Sequence, residues 1–181
     1  MSLLEFIDKG GFIMYILLFA NIVGYALILY KGWLIWKFKT DFSHNGQSIW
    51  SKFTSKMTGK SFSDEGSVAL LKEEVVQNIK ELEPGLSTIR TIATTGPLLG
   101  LLGTVIGILD AFFVISKTGL TDPSMFADGI SLALITTVGG LVVAIPHLVA
   151  YNYFVSILDN LESKMQDLVI SFYTNSKGNT K

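Results

Sequence analysis

The chain has 181 residues, of which 49% are hydrophobic and 16% charged, against about a quarter charged in an ordinary soluble domain, so a membrane protein is the first class to test. The 14 Lys and Arg against 15 Asp and Glu leave a net charge of −1, which gives no electrostatic case for a nucleic-acid partner. Without cysteine there are no disulfides, thiolate metal sites or thiol nucleophiles, and two distant histidines, His44 and His147, make no metal cluster, so no cofactor is expected.

Residues 1–10 are expected to form a short interfacial segment. From Gly11 to Tyr30 there is no Asp, Glu, Lys or Arg, and the apolar character resumes past Lys31 through Trp33, Leu34, Ile35 and Trp36. About 20 residues rising 1.5 Å each match a hydrocarbon core of roughly 30 Å, so 11–36 reads as a transmembrane helix. A signal peptide fits less well, because Glu5 and Asp8 stand where a basic cluster belongs and no small-residue cleavage pattern follows.

Residues 37–90 form a polar connection too small for an independent catalytic domain. It opens with a Ser-, Gly- and Lys-rich stretch from Ser43 to Ser67, in which Ile49, Trp50, Phe53 and Met57 predict one short interfacial helix. Val68, Leu71, Val75, Ile79 and Leu82 then recur at helical spacing, with Lys72, Glu73, Glu74, Lys80 and Glu81 on other faces, and Pro84-Gly85 marks a bend or break.

The second apolar run goes from Thr91 to Leu109, is interrupted by Asp110 and continues from Ala111 to Ile115, giving a span over 91–116. After a loop at 117–128, the third run is free of Asp, Glu, Lys and Arg from Gly129 to Leu158, more than a bilayer needs. It predicts a span over 129–152 whose helix projects beyond the lipid into 153–181. There Phe154, Ile157, Leu158, Leu161, Met165, Leu168, Val169 and Phe172 form an apolar stripe opposed by Asp159, Glu162, Lys164 and Asp167. Packing onto the first extramembrane helix and packing between subunits both remain open for this stripe. With no strand signal, the fold class is all-α: an integral membrane protein with three transmembrane helices and a helical cytoplasmic extension.

Direction follows from the basic residues, which resist translocation. Lys9 and Lys117 lie on the side of the amino terminus, whereas Lys37, Lys39, Lys52, Lys56, Lys60, Lys72, Lys80, Arg90 and the tail lysines lie on the other. The amino terminus is therefore expected outside and the carboxy terminus in the cytoplasm, with Trp33 and Trp36 as the inner aromatic anchor.

In lipid, helices associate through small residues that let backbones approach and through polar groups that bond across the gap. Gly96, Gly100, Gly103 and Gly107 run along one side of the second span with Thr104 beside them, and Ser131, Ala133, Thr136, Thr137, Gly140 and Ala144 repeat the theme in the third. Packing alone accounts for the glycines but poorly for the hydroxyls gathered near mid-membrane. Counting from the outer span ends puts Thr104 roughly 18 Å and Thr137 roughly 12 Å deep, so they could line one polar zone with Thr136. Hydroxyls bond water or a carboxylic acid but do not themselves titrate at accessible pH, and a proton-driven device needs an acid from elsewhere. Asp110 is open to two readings, a cation-attracting outer mouth or a solvated interfacial aspartate. His147, just after Pro146, reads as a packing or interface histidine, and Pro97 and Pro146 are expected to bend their spans. An intramembrane enzyme would need a nucleophile with its base or a metal-ligand set, and Asp110 alone supplies neither.

The strings ATTGPLLGLLGTVIG at 93–107 and ISLALITT at 130–137, followed by Val143-Ala144-Ile145-Pro146 and Tyr151-Asn152, closely resemble the MotA/TolQ/ExbB proton channel family, nearest its ExbB and TolQ branches. The resemblance covers about Leu82 to Asn160. It implies a non-enzymatic bacterial inner-membrane subunit forming a pentamer, with the second and third spans lining a central pore. Two single-span helices of the ExbD or TolR type would occupy that pore, each bringing an aspartate, and a TonB- or TolA-type protein would receive the work. By position Thr104 and Thr137 match the family's pore threonines. Many relatives carry a glutamate where this chain has Leu132, which strengthens dependence on the partner's aspartate. Protons are the expected ion, with sodium, which hydroxyls also coordinate, as the rival. ExbB-type energising of TonB-dependent transport is favoured over a TolQ-type envelope motor, and a non-conducting assembly or anchoring protein is the alternative from another class.

Overall fold

The computed structural model of the chain describes residues 10–44, 65–119 and 123–178. All its regular structure is helical: α1 spans Gly11–His44, α2 Glu65–Lys80, α3 Leu86–Thr118 and α4 Pro123–Gly178. Three stretches are long and apolar enough to cross a membrane, Gly11–Phe38, Leu86–Lys117 and Gly129–Ser171. The chain is an all-α integral membrane protein. The expected 1–10 segment, apart from Gly10, and the short helix predicted around Ile49 to Met57 lie outside the described residues.

The helices reach further than the apolar runs. α3 continues to Thr118, where Gly119 takes a φ of +71° that a β-carbon would resist, and α4 begins at Pro123, inside the segment expected as a loop. Proline suits a first helical turn because its missing N–H has no intrahelical acceptor to satisfy. α4 then runs 56 residues without interruption, about 84 Å at helical rise, passing through Pro146 as α3 passes through Pro97. Each ring removes one backbone donor, freeing a carbonyl one turn back.

Two compact units divide the chain. The first joins the described residues up to Ile28 with Ser87–Tyr151. Its core combines Ile13, Met14 and Leu17 of α1, Ile92 of α3 and Ile135 and Val143 of α4, with Ala20 and Leu99 packed against it.

The second unit joins Leu29–Leu86 with the chain from Asn152 onward. Leu71, Val75, Ile79 and Leu82 are buried here, as the helical spacing predicts, and so are Phe154, Leu158, Leu161, Met165 and Val169 of α4. That stripe is thus already covered within one chain, which decides between the two readings in favour of intrachain packing; Leu168 alone of its described members is exposed. Between α2 and α3 the chain turns at 81–85 with Leu86 N–H bonded to the Glu83 carbonyl, and Gly85 takes a φ of +88° at the expected break.

Candidate functional site

α3 and α4 meet along a seam of backbone contacts. A β-carbon on Gly100 would lie 2.9 Å from the Thr136 carbonyl oxygen and 3.1 Å from the Thr137 Cα; one on Gly140 would lie 2.6 Å from the Gly96 oxygen. Toward the α3–α4 connection, a β-carbon on Gly107 would lie 2.9 Å from the Gly129 oxygen, and one on Gly103 2.5 Å from the Thr136 Oγ1. The predicted set Gly96, Gly100, Gly103, Gly107 and Gly140 is therefore a close-approach seam, and Gly129 belongs to it as well. With two backbones this near, side chains flanking the seam can bond across it.

Thr104 and Thr137 do so. Their hydroxyls are in direct hydrogen-bond contact. Thr104 Oγ1 also lies 3.0 Å from the Ala133 oxygen and 3.2 Å from the Gly100 oxygen, with Thr137 Oγ1 3.5 Å from the latter. Each hydroxyl has one hydrogen to give and lone pairs to receive. Two proton orders follow on the same heavy atoms: Thr137 donates to Thr104, which donates to Ala133; or Thr104 donates to Thr137, which donates to Gly100. The pair can present its free lone pairs from either residue without moving backbone. Thr91, Thr94 and Thr95 differ, since each donates to a carbonyl of its own helix.

The unequal depths counted from the apolar ends do not hold. Thr104 stands fourteen residues before Thr118 and Thr137 fourteen after Pro123, so the two are level in the hairpin. The discrepancy arises because the helices outrun the apolar runs by different amounts.

Two predicted residues, Thr136 and Asp110, part company from this pair. Thr136 is 1% exposed, packs on Gly103 and donates 2.8 Å to the Ala133 carbonyl, so it is sealed inside the seam. Asp110 is exposed, but six residues from Thr104 at 3.6 per turn place it about 120° away around α3. It instead shares the side of Leu99, eleven residues or about three turns earlier, which packs against the α1-containing core. Thr104 and Asp110 thus flank the seam on opposite sides. His147 is fully buried, in keeping with a packing role, though in contact with α1, where Gly24 faces its ring.

Beside Thr104, toward the α3–α4 connection, an open groove of about 290 Å³ is walled by Ile108, Phe112, Ile130 and Leu134. Thr104 borders this groove and Thr137 does not, and the exposed lining is wholly apolar, so the hydroxyl pair lies behind the groove wall. Among the described residues no group of three or more His, Cys, Asp or Glu could hold a metal ion.

Sequence reasoning passed over Lys31. This lysine is 3% exposed, and its Nζ donates 3.2 Å to the Leu82 carbonyl at the turn after α2, where helix-end carbonyls carry partial negative charge. A lysine at the edge of an apolar run reads as a membrane boundary, and nothing local marks its acceptor 51 residues away.

A helical membrane protein of three candidate spans, with a glycine seam flanked by a hydroxyl pair, is the class that fold and site define. The MotA/TolQ/ExbB proton channel family matches residues 45–167, and the chain belongs to that family. Relatives named biopolymer transport protein ExbB are 45% identical over 76 residues in Aquifex aeolicus, covering 42% of this chain and 51% of that protein, and 37% identical over 97 residues in Pseudomonas putida, covering 54% and 30%. The Tol-Pal system protein TolQ of Haemophilus influenzae is 33% identical over 109 residues, covering 60% of this chain and 48% of that protein. The chain thus spans about half or less of the length of these relatives.

Proposed function

We propose that this chain is the scaffold subunit of an inner-membrane, proton-driven motor. It assembles as a homopentamer around two copies of a single-span ExbD/TolR-type partner, with its amino terminus periplasmic and its carboxy terminus cytoplasmic. The observation that carries the reading is the Thr104–Thr137 pair, two level hydroxyls with interchangeable proton order bonded across the α3–α4 seam. Such a pair accepts from a carboxylic acid on its free lone pairs as it stands, and donates to a carboxylate by releasing the Ala133 or Gly100 carbonyl, so it fits either protonation state of a partner's aspartate. It cannot carry the proton away by itself, and neither Leu132 nor Asp110 supplies an acid on that side.

The partner's aspartate would load its proton from the periplasm and release it toward the cytoplasm, and the cycle would turn one component against the other. The chain needs no cofactor and catalyses no covalent chemistry in this reading. Protons are preferred to sodium as the ion. A TonB-type client is preferred to a TolA-type one, supported by the higher identity to the Aquifex ExbB than to the Haemophilus TolQ.

The test is proton flux through the co-purified complex of this chain and its single-span partner in liposomes. Thr104→Ala and Thr137→Val should each lower flux at least about tenfold, as expected if a hydrogen bond to a charged group, about 1.5–3 kcal/mol, is lost from the transfer step. Unchanged flux in both variants removes the hydroxyl pair from the pathway, and a wild-type complex that conducts nothing favours the assembly role.

A further inference from the structure

The Thr104–Thr137 pair has a counterpart further along the seam. Arg90 stands fourteen residues before Thr104 in α3, and Tyr151 fourteen after Thr137 in α4. Because the two helices run antiparallel, both steps lead away from the α3–α4 connection by the same distance, about 21 Å at helical rise. Fourteen residues are about 3.9 turns, so each lies within about 40° of its threonine around its own helix. The two also meet, since the Arg90 guanidinium carbon lies 5.7 Å from the centroid of the Tyr151 ring, within cation–π range. One flank of the seam thus carries a hydroxyl pair and, at the end that is cytoplasmic in the proposed orientation, a cation held on an aromatic ring.

Arg90 is the only Asp, Glu, Lys or Arg in 86–109 of α3 and 129–158 of α4. The hairpin offers it no acid over that length, and its side chain is exposed while Tyr151 is half-buried. Charged groups within a span are costly and mark a functional contact by default. Contact with a ring fixes the position of the guanidinium without supplying the acceptor its fork of N–H groups matches best, a carboxylate bound through two parallel hydrogen bonds. A phosphate offers similar chemistry, but the shared flank favours the carboxylate. Any helix that lies along this flank with an acid at the level of Thr104 passes Arg90 about fourteen residues later.

We propose that Arg90, steadied by Tyr151, is a second docking point for the single-span partner and binds an Asp or Glu carboxylate about fourteen residues to the cytoplasmic side of the partner's membrane aspartate. The contact sets the height of that helix against the threonine pair and takes no part in proton transfer. It rests on the motor reading and adds a recognition residue to it.

The test is the dissociation rate of the co-purified full-length complex, followed as a fluorescently labelled partner leaves on dilution in detergent. Arg90→Gln should speed the loss about fivefold, the upper value for an exposed ion pair, and Arg90→Lys should fall between it and wild type, because an ammonium keeps the charge without the fork. Tyr151→Leu should speed the loss by less than Arg90→Gln, and Tyr151→Phe, which keeps the ring, should recover it. Arg90→Glu should release the partner faster still, and replacing the partner's matching acid by arginine should restore the slow rate. If that reversed pair does not assemble, Arg90→Gln decides. A partner with no Asp or Glu within about one turn of the stated position, or an Arg90→Gln complex that dissociates at the wild-type rate, overturns the proposal. So does an Arg90→Gln complex that loses bound phosphatidylglycerol and keeps its partner, which assigns the guanidinium to a lipid phosphate. A wild-type chain that captures no such partner removes the motor reading and this contact with it, whereas a stable complex indifferent to Arg90 removes the contact alone.

Discussion

The two units of this chain hold their helices together by opposite means. In the first, the closest α3–α4 contacts involve no large side chain: Gly96 meets Gly140, Gly100 meets the Thr136–Thr137 backbone and Gly107 meets Gly129. In the second, Leu71, Val75 and Ile79 of α2 and Leu158, Leu161 and Met165 of α4 are buried as aliphatic stripes with charged residues on the other faces. The solvent explains the contrast. Lipid tails are as apolar as leucine, so burying leucine in a bilayer gains little and close backbone approach must supply dispersion and polar contacts. Where α2 and the end of α4 carry charged faces, water drives the stripes together.

Substitution at the seam breaks that contrast most forcefully. Gly100→Leu places a branched chain where even a β-carbon would sit 2.9 Å from a carbonyl oxygen and 3.1 Å from a Cα, and neither backbone atom can swing aside. Overpacking costs about 1–3 kcal/mol in cores whose neighbours are side chains, and more is expected against backbone. The expected outcome is loss of the folded protein, read as aggregation on size-exclusion chromatography in detergent. Recovery of wild-type protein from Gly100→Leu would mean that the helices are not held this closely.

A middle-sized effect belongs to the second unit. Leu161→Ala removes a buried aliphatic group, for which about 2–5 kcal/mol is the usual cost. Two units need not unfold together, so the informative measurement is amide exchange. Protection should fall in α2 and the last third of α4 while the α3–α4 seam keeps its own. Equal loss in both places would show that the two packing regimes are not separable.

How much of this could be read beforehand follows the same division. Composition and three apolar runs gave the fold class, and the stripe spacing gave the buried positions of α2 and α4, because both depend on local periodicity. The glycine spacing likewise marked the seam. Which flank of the seam a residue takes was harder. Thr136 and Thr137 are neighbours in sequence, yet one is sealed against Gly103 and the other bonds Thr104. Asp110 lies on the face of Leu99, which packs against the α1-containing core, and so on the other flank from Thr104. Where α1 lies is a tertiary fact with no local signature. Gly24 is the socket of His147, but it is one of three glycines in that span, with Gly11 and Gly32, and its sequence does not set it apart.

The smallest effect sharpens the comparison instead of breaking it. Lys31 is a buried cation in a unit otherwise built on apolar burial, donating to the Leu82 carbonyl, with its Nζ 5.9 Å from the Tyr30 ring centroid. Its aliphatic stem does part of the packing, so Lys31→Met keeps most of the buried volume and removes the charge together with one hydrogen bond. Two terms then oppose each other. Losing the bond leaves a turn carbonyl short of a donor, at about 1–3 kcal/mol if fully buried, whereas relief from desolvating an ammonium returns a similar amount. A net change within about 1 kcal/mol is expected, against a larger loss for Lys31→Ala, which also opens a cavity. Exchange at the amides of 81–86, which close the turn between α2 and α3, is the readout. A methionine variant as damaging as the alanine one would mean that the charge, and not the stem, secures this turn, and that the second unit depends on one electrostatic contact as well as on its stripes.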